Sequence, residues 1–320
     1  MIYKAEVIQI KNQKEYTVRF IEGQVKNKTV VIKNLPPTAY KQVPITQGEN
    51  VLVSYTRDVR GKETAYITDF DRIDALFILA ALFLIVVVWV GRFRGFFSVL
   101  GMVVSFIILS KGLLPSILSG NDPVLIMLLG SLIIAPLTFY LSHGMSKKTN
   151  IALVATFLSL AITGFLAYFF VLFTKLTGYS AEESVYLQSQ NVNIDVRSIL
   201  LAGIILGALG VLDDITVSQT SIVETLKQTN KSLTRSALYK SAMKVGRDHI
   251  ASLVNTLVLV YAGASLPLFL LFYGTNLKYS LVVNQEIIAT EIVRTLVSSI
   301  GIILAVPITT LIAAYVYTKK

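Results

Sequence analysis

Asp213 and Asp214 are adjacent carboxylates at the end of a charge-free run, Ser198 to Leu212. As a helix that run is about 22 Å long, short of a hydrocarbon core about 30 Å thick. Arg197 at its start can snorkel along its stem, whereas two short carboxylates cannot, so a spanning helix brings charge to the bilayer boundary or inside it. The spacing continues as a helix. Asp213, Thr216, Thr220, Glu224 and Lys227 share one face, and Asp214, Ser218, Ser221 and Thr225 form the stripe beside it. With Gln219 these residues make a broad polar face. Two readings fit: a helix surfacing with a solvated face, or the wall of a polar cavity. The second is preferred, because an ionisable residue at membrane depth is a functional hypothesis by default.

Two further polar groups lie next to apolar runs. Asp248, Ser252 and Asn255, with Arg247 just before them, lie at i, i+4 and i+7, one face entering the run beginning at Ile250. Glu291, Arg294 and Ser298 lead into the final run. Arg247 is expected either to neutralise the Asp213/Asp214 pair or to anchor a helix at the cytosolic face. A short apolar span, carboxylates at its end, an Asn-bearing face and Pro136, Pro267 and Pro307 inside apolar runs suit a solute or ion path, so a transporter or permease component leads. The alternatives are an intramembrane enzyme holding Mg²⁺ on the Asp pair to act on phosphorylated lipids, or an assembly or sensor protein. Neither a DDxxD nor a Gly-x-Gly-Asp pattern is present, and no GxxxxGK[ST] phosphate loop occurs. With no cysteine and only His143 and His249, thiolate chemistry and a classical zinc site are not expected; whether another metal binds stays open, and no cofactor is implied.

These groups need a membrane scaffold to position them. The 320 residues are 54% hydrophobic, and mean hydropathy is +0.66. Seven spans are expected, at about 74–90, 96–118, 123–142, 151–173, 198–214, 250–273 and 292–317. Gly203, Gly207 and Gly210 in the fifth are read as packing glycines. Residues 227–249 read as a basic surface helix. Residues 1–70 differ, alternating polar and apolar in five short segments. They are expected to form a small all-β, OB-like or barrel domain, with a turn at Asn12-Gln13, breaks at Pro36-Pro37 and Pro44, and Tyr16, Phe20, Tyr55 and Tyr66 in the core rather than on a stacking face. Residues 71–320 form the helical domain.

The net charge of +10 does not imply nucleic acid, because the excess sits in the first 70 residues and beside spans. Arg92, Arg94, Lys147, Lys148, the lysines and arginines of 227–247, and Lys319 and Lys320 fall on one side if there are seven spans. That side is the cytosol, which puts the carboxyl terminus inside and the β domain outside. An outside amino-terminal domain is either drawn across by the first span or preceded by a hydrophobic segment upstream of residue 1, and the second is the expectation. Membrane lipids are the expected partners, with a second membrane subunit or a homo-oligomer as further expectations.

One resemblance is specific. Gly207-Ala-Leu-Gly-Val-Leu-Asp-Asp-Ile-Thr-Val-Ser-Gln resembles the signature of the YibE/F-like family of multi-pass bacterial membrane proteins. Val245-Gly-Arg-Asp-His-Ile-Ala-Ser-Leu-Val-Asn and Asn284-Gln-Glu-Ile-Ile-Ala-Thr-Glu-Ile-Val-Arg continue it, as do Gly301 and Pro307. The resemblance implies a bacterial plasma-membrane protein with an extracytoplasmic β domain. It implies no activity. Asp214 matches the pattern more firmly than Asp213.

Overall fold

The structure, a computed structural model, describes residues 1–11, 15–33, 44–57, 63–180, 182–189, 194–274 and 277–319. The expected turn at Asn12-Gln13, the break at Pro36-Pro37 and Lys320 lie outside the described residues. The chain divides into two units, Met1–Val86 and Val87–Lys320.

The first unit holds five antiparallel strands: β1 (Ile2–Lys11), β2 (Glu15–Phe20), β3 (Thr29–Ile32), β4 (Asn50–Arg57) and β5 (Glu63–Phe70), in the order β3-β2-β1-β4-β5. The period-2 pattern sends Ala5, Val7, Val18, Phe20, Val51, Val53 and Ile67 to one face, where all are fully buried. Register pairs Val7 with Val18, Ala5 with Val51 and Val53 with Ile67, so the buried set stays on one side across the sheet. Irregularities between Val7 and Gln9 and between Leu52 and Val53 let the sheet curl. The edge strands β3 and β5 come into contact without pairing, which leaves a half-barrel rather than a closed one. Tyr3 and Tyr55 meet the buried Phe20 edge-on, at 6.0 and 5.6 Å between ring centres. These rings belong to the core, as do Tyr16 and Phe20 themselves, while Tyr66 is exposed.

The rest is helical: α1 (Ile73–Ile108), a π-helical turn (Leu109–Leu113), α2 (Leu114–Leu118), α3 (Pro123–His143), α4 (Lys147–Phe173), α5 (Glu182–Ser189), α6 (Val196–Thr229), α7 (Arg235–Ala264), α8 (Leu266–Tyr273), α9 (Tyr279–Val283) and α10 (Glu286–Thr318). Local sequence fixes several starts. Asp122 accepts from the Leu125 N–H ahead of Pro123, Ser146 from Thr149, and Asp195 from both Arg197 N–H and the Ser198 hydroxyl. In the second unit α4, α6 and α10 pack together as the core, with α7 and α3 against them.

Among the described residues five helical stretches are long and apolar enough to span a membrane, or six if the bent pair α7–α8 counts as one, against the seven expected. The difference has two causes. Ile73–Leu118 is one helical stretch of 46 residues, interrupted at Arg92, whose φ of 51° and ψ of −136° are not helical. The sixth expected span is broken at Ser265, where α7 and α8 meet at 69° just before Pro267. Residues 235–249 are likewise not a separate surface helix. They open α7, and Leu238, Ala242 and Gly246 are buried in the bundle. Helix α6 continues past residue 214, as its spacing predicts. It runs unbroken for 34 residues, and Ile215, Thr216, Val217, Gln219, Thr220 and Val223 are buried beyond the aspartates.

Candidate functional site

Depth within the bundle follows from who touches whom. On α4, Thr156 meets the Thr216 hydroxyl of α6 at 2.8 Å, and Gly164 lies beside Ile205. On α10, Thr310 accepts from Gln219 Nε2 at 2.7 Å, and the Tyr317 hydroxyl donates to Glu224 at 2.9 Å. The Lys147 ammonium, at the start of α4, donates to the Val316 carbonyl near the end of α10 at 3.1 Å. Helices α4 and α6 are therefore antiparallel, α6 and α10 parallel. Asp213 stands one turn inward from the Thr156–Thr216 contact, level with the middle of α4. It is a mid-bundle residue, not a residue at the bundle's end.

Asp213 lines a cavity of about 410 Å³ bounded by α1, α3 and α6. Its polar wall also carries Ser98 and Ser105 from α1 and Thr138 and Ser142 from α3; Met102, Phe106, Leu109 and Leu206 supply apolar wall. Among the described residues Asp213 Oδ1 is buried without a hydrogen-bond partner. Such an oxygen is costly to leave bare in apolar surroundings. Gly210, one turn back on the same face, also lines the cavity, and a Cβ built there meets nothing within 4 Å. Gly203 is equally open, and Gly207 meets only the Tyr261 hydroxyl, at 3.9 Å. Within the described residues of the chain, then, nothing packs on Gly203 or Gly210, while α7 approaches Gly207 through Tyr261. Close packing falls to Gly246 and Gly301. A Cβ at Gly246 meets Val306 Cγ1 at 2.7 Å, and one at Gly301 meets Thr163 Oγ1 at 1.8 Å. Periodicity could not single out these two, because their neighbours are distant in sequence.

The remaining site residues separate. Asp214 is exposed on the side of His143, where Arg94 and Lys148 also act electrostatically. The two aspartates point apart and do not form a joint clamp; no group of three His, Asp or Glu is arranged for a metal among the described residues. Ser218 and Glu224 are half-buried. Gln219 is wholly buried: its amide nitrogen reaches Thr310 Oγ1 and the Ala242 carbonyl, and its Oε1 has no partner among the described residues. Arg247, Asp248, Ser252 and Asn255 are exposed on α7, and Arg247 makes no ion pair among the described residues. Glu291 pairs with Arg294 at 2.8 Å and accepts from the Ser265 hydroxyl at 3.3 Å. Ser298 is fully buried with its hydroxyl unpartnered among the described residues.

Sequence reasoning missed the lining from α1 and α3. Ser98, Ser105, Thr138 and Ser142 carry no charge and sit in ordinary apolar runs, and only the fold brings them to Asp213.

A family model described as YibE/F-like protein matches residues 79–319. No curated protein and no solved structure matches the chain.

Proposed function

The chain belongs to the YibE/F-like family, and from that premise we propose that this membrane protein is a transporter or permease component of the bacterial plasma membrane. The observation that carries the proposal is Asp213 at mid-bundle, lining a cavity, with one carboxylate oxygen buried and unpartnered among the described residues. A carboxylate held at that depth costs stability that a merely structural residue would not repay. Prolines inside α3 and α10 and the broken pair α7–α8 add places where helix carbonyls are freed and segments can shift.

The proposal includes an orientation. Lys147 over the Tyr317 ring, Arg235 over Tyr315, and the hydrogen bond from Arg235 to Thr318 gather basic residues at one end of the bundle. We assign that end to the cytosol by the positive-inside rule, with the β unit outside. Counting Ile73–Leu118 as two spans divided at Arg92 gives the seven that this orientation requires. The exposed polar face of α7 is assigned to a second membrane subunit or a second copy of the chain, because lipid tails cannot hydrogen-bond Asn255 or Ser252.

The chain has no cysteine, so single cysteines report cleanly. Ser105→Cys and Thr138→Cys are probed with a membrane-impermeant thiol reagent from each face of oriented vesicles. A transport site is labelled from both faces, through two conformations. Labelling from neither face refutes the reading. Lys231→Cys labelled only from inside, with Tyr279→Cys labelled only from outside, is the result expected of the orientation.

A further inference from the structure

The walls of the Asp213 cavity differ in what they can donate. The Ser105 hydroxyl gives its proton to the Gly101 carbonyl at 2.9 Å. The Thr138 hydroxyl gives its proton to the carbonyls of Ala135 and Ile134, at 3.0 and 3.1 Å. A hydroxyl has one proton. Once that proton is committed to the preceding turn of its own helix, only lone pairs remain for the cavity. Asp213 adds a carboxylate, also an acceptor. Ser98 and Ser142 are rotors that can present lone pairs as well. The surface therefore offers oxygen acceptors around a single negative charge, with Met102, Phe106 and Leu206 as apolar wall between them.

That chemistry selects its occupant. An anion would face the carboxylate, whose repulsion the neutral Ser98 and Ser142 hydroxyls, the remaining free protons of this wall, do not offset. A divalent cation commonly draws more than one carboxylate, and Asp213 is the sole acidic residue in this wall among the described residues. A single-charge cation balances one carboxylate and takes neutral oxygen ligands around the rest of its shell.

We propose that this cavity binds a monovalent cation, with Asp213 as its counter-charge and the hydroxyl oxygens of Ser105 and Thr138 among its ligands. This deepens the transport reading and rests on it for treating the cavity as a site. At about 410 Å³ the space exceeds a bare ion, so the ion enters with part of its water. Gly210 keeps the path open, because any side chain there would project into free space beside Asp213.

The test is thermal unfolding of the full chain in detergent, with sodium chloride compared with choline chloride at equal ionic strength and pH. A ligand that binds only the folded state raises the midpoint with its concentration. The wild-type midpoint is expected to rise by about 2–5 °C in sodium and not in choline. Asp213→Asn is expected to abolish the difference. Gly210→Leu is expected to abolish it while melting near wild type in choline. Ser105→Ala, which leaves the charge in place, is expected to reduce it. An equal midpoint in both salts overturns the proposal, as does a sodium effect that survives both Asp213→Asn and Gly210→Leu. The two readings fail separately. Cavity cysteines labelled from both faces without any sodium response sink the cation alone. A sodium response with cysteines closed to one face sinks transport alone.

Discussion

Gly301→Ala places a methyl group where there is no room for one. Gly301 is buried on α10, and the added carbon falls 1.8 Å from Thr163 Oγ1, 2.9 Å from its Cβ and 3.0 Å from its Cγ2. Real Cβ contacts do not come closer than about 3.0 Å, so the two must part by more than an ångström. Thr163 cannot yield easily. It is fully buried and β-branched, and its hydroxyl is tied to the Ser159 carbonyl at 2.8 Å. The strain must pass to the α4–α10 seam, at a cost of about 1–3 kcal/mol. Thr163→Ala removes all the clashing atoms except the Cβ, and alone costs about 1 kcal/mol through a small void and a lost hydrogen bond. The double variant is then expected to melt above Gly301→Ala, with a coupling of about 1–2 kcal/mol in the direction of rescue. Thermal unfolding of the four proteins in one detergent closes the cycle. Gly301→Ala at wild-type stability, or strictly additive effects, would refute the packing argument.

Gly246→Ala is expected to destabilise by about 1–3 kcal/mol, because its methyl meets Val306 Cγ1 at 2.7 Å and Gln219 Nε2 at 3.1 Å; the same melts measure it. In the β unit, Lys4 and then the Ile73 N–H hold the Asp71 carboxyl below its ordinary value of 3.8. A lowered folded value contributes stability above pH 3.8 that is lost as pH falls through the folded value. Asp71→Asn should therefore speed hydrogen exchange in β1 and β5 at neutral pH, and the difference from wild type should vanish in strong acid. Asn255→Cys should form a disulfide-linked dimer in native membranes if a second copy covers α7. A monomer under oxidation that also fails to cross-link to any other membrane protein would leave that face to lipid.

The sequence by itself determined the local elements. Alternation at Ala5, Val7, Val18, Val51 and Val53 is a property of neighbouring residues, so the β unit could be read directly. The long apolar runs and their caps at Asp122, Ser146 and Asp195 marked helices for the same reason. The continuity of α6 past Asp214 was legible in its spacing, and the quoted motifs named the family before any fold was known. Tertiary structure decided depth and company. Hydropathy ended the fifth span at the aspartates because charge usually marks a boundary; packing of α4, α7 and α10 along the whole of α6 instead put Asp213 at mid-bundle and Gln219 in the core. Gly203 and Gly210 look like packing glycines in one dimension but face open space among the described residues, whereas Gly246 and Gly301 sit against a neighbouring helix, because only the facing helix determines whether a missing side chain is filled or left open. Ser105 and Thr138 came to line one cavity with Asp213 because α1, α3 and α6 border the same space, a juxtaposition of segments far apart in the chain that no local pattern encodes.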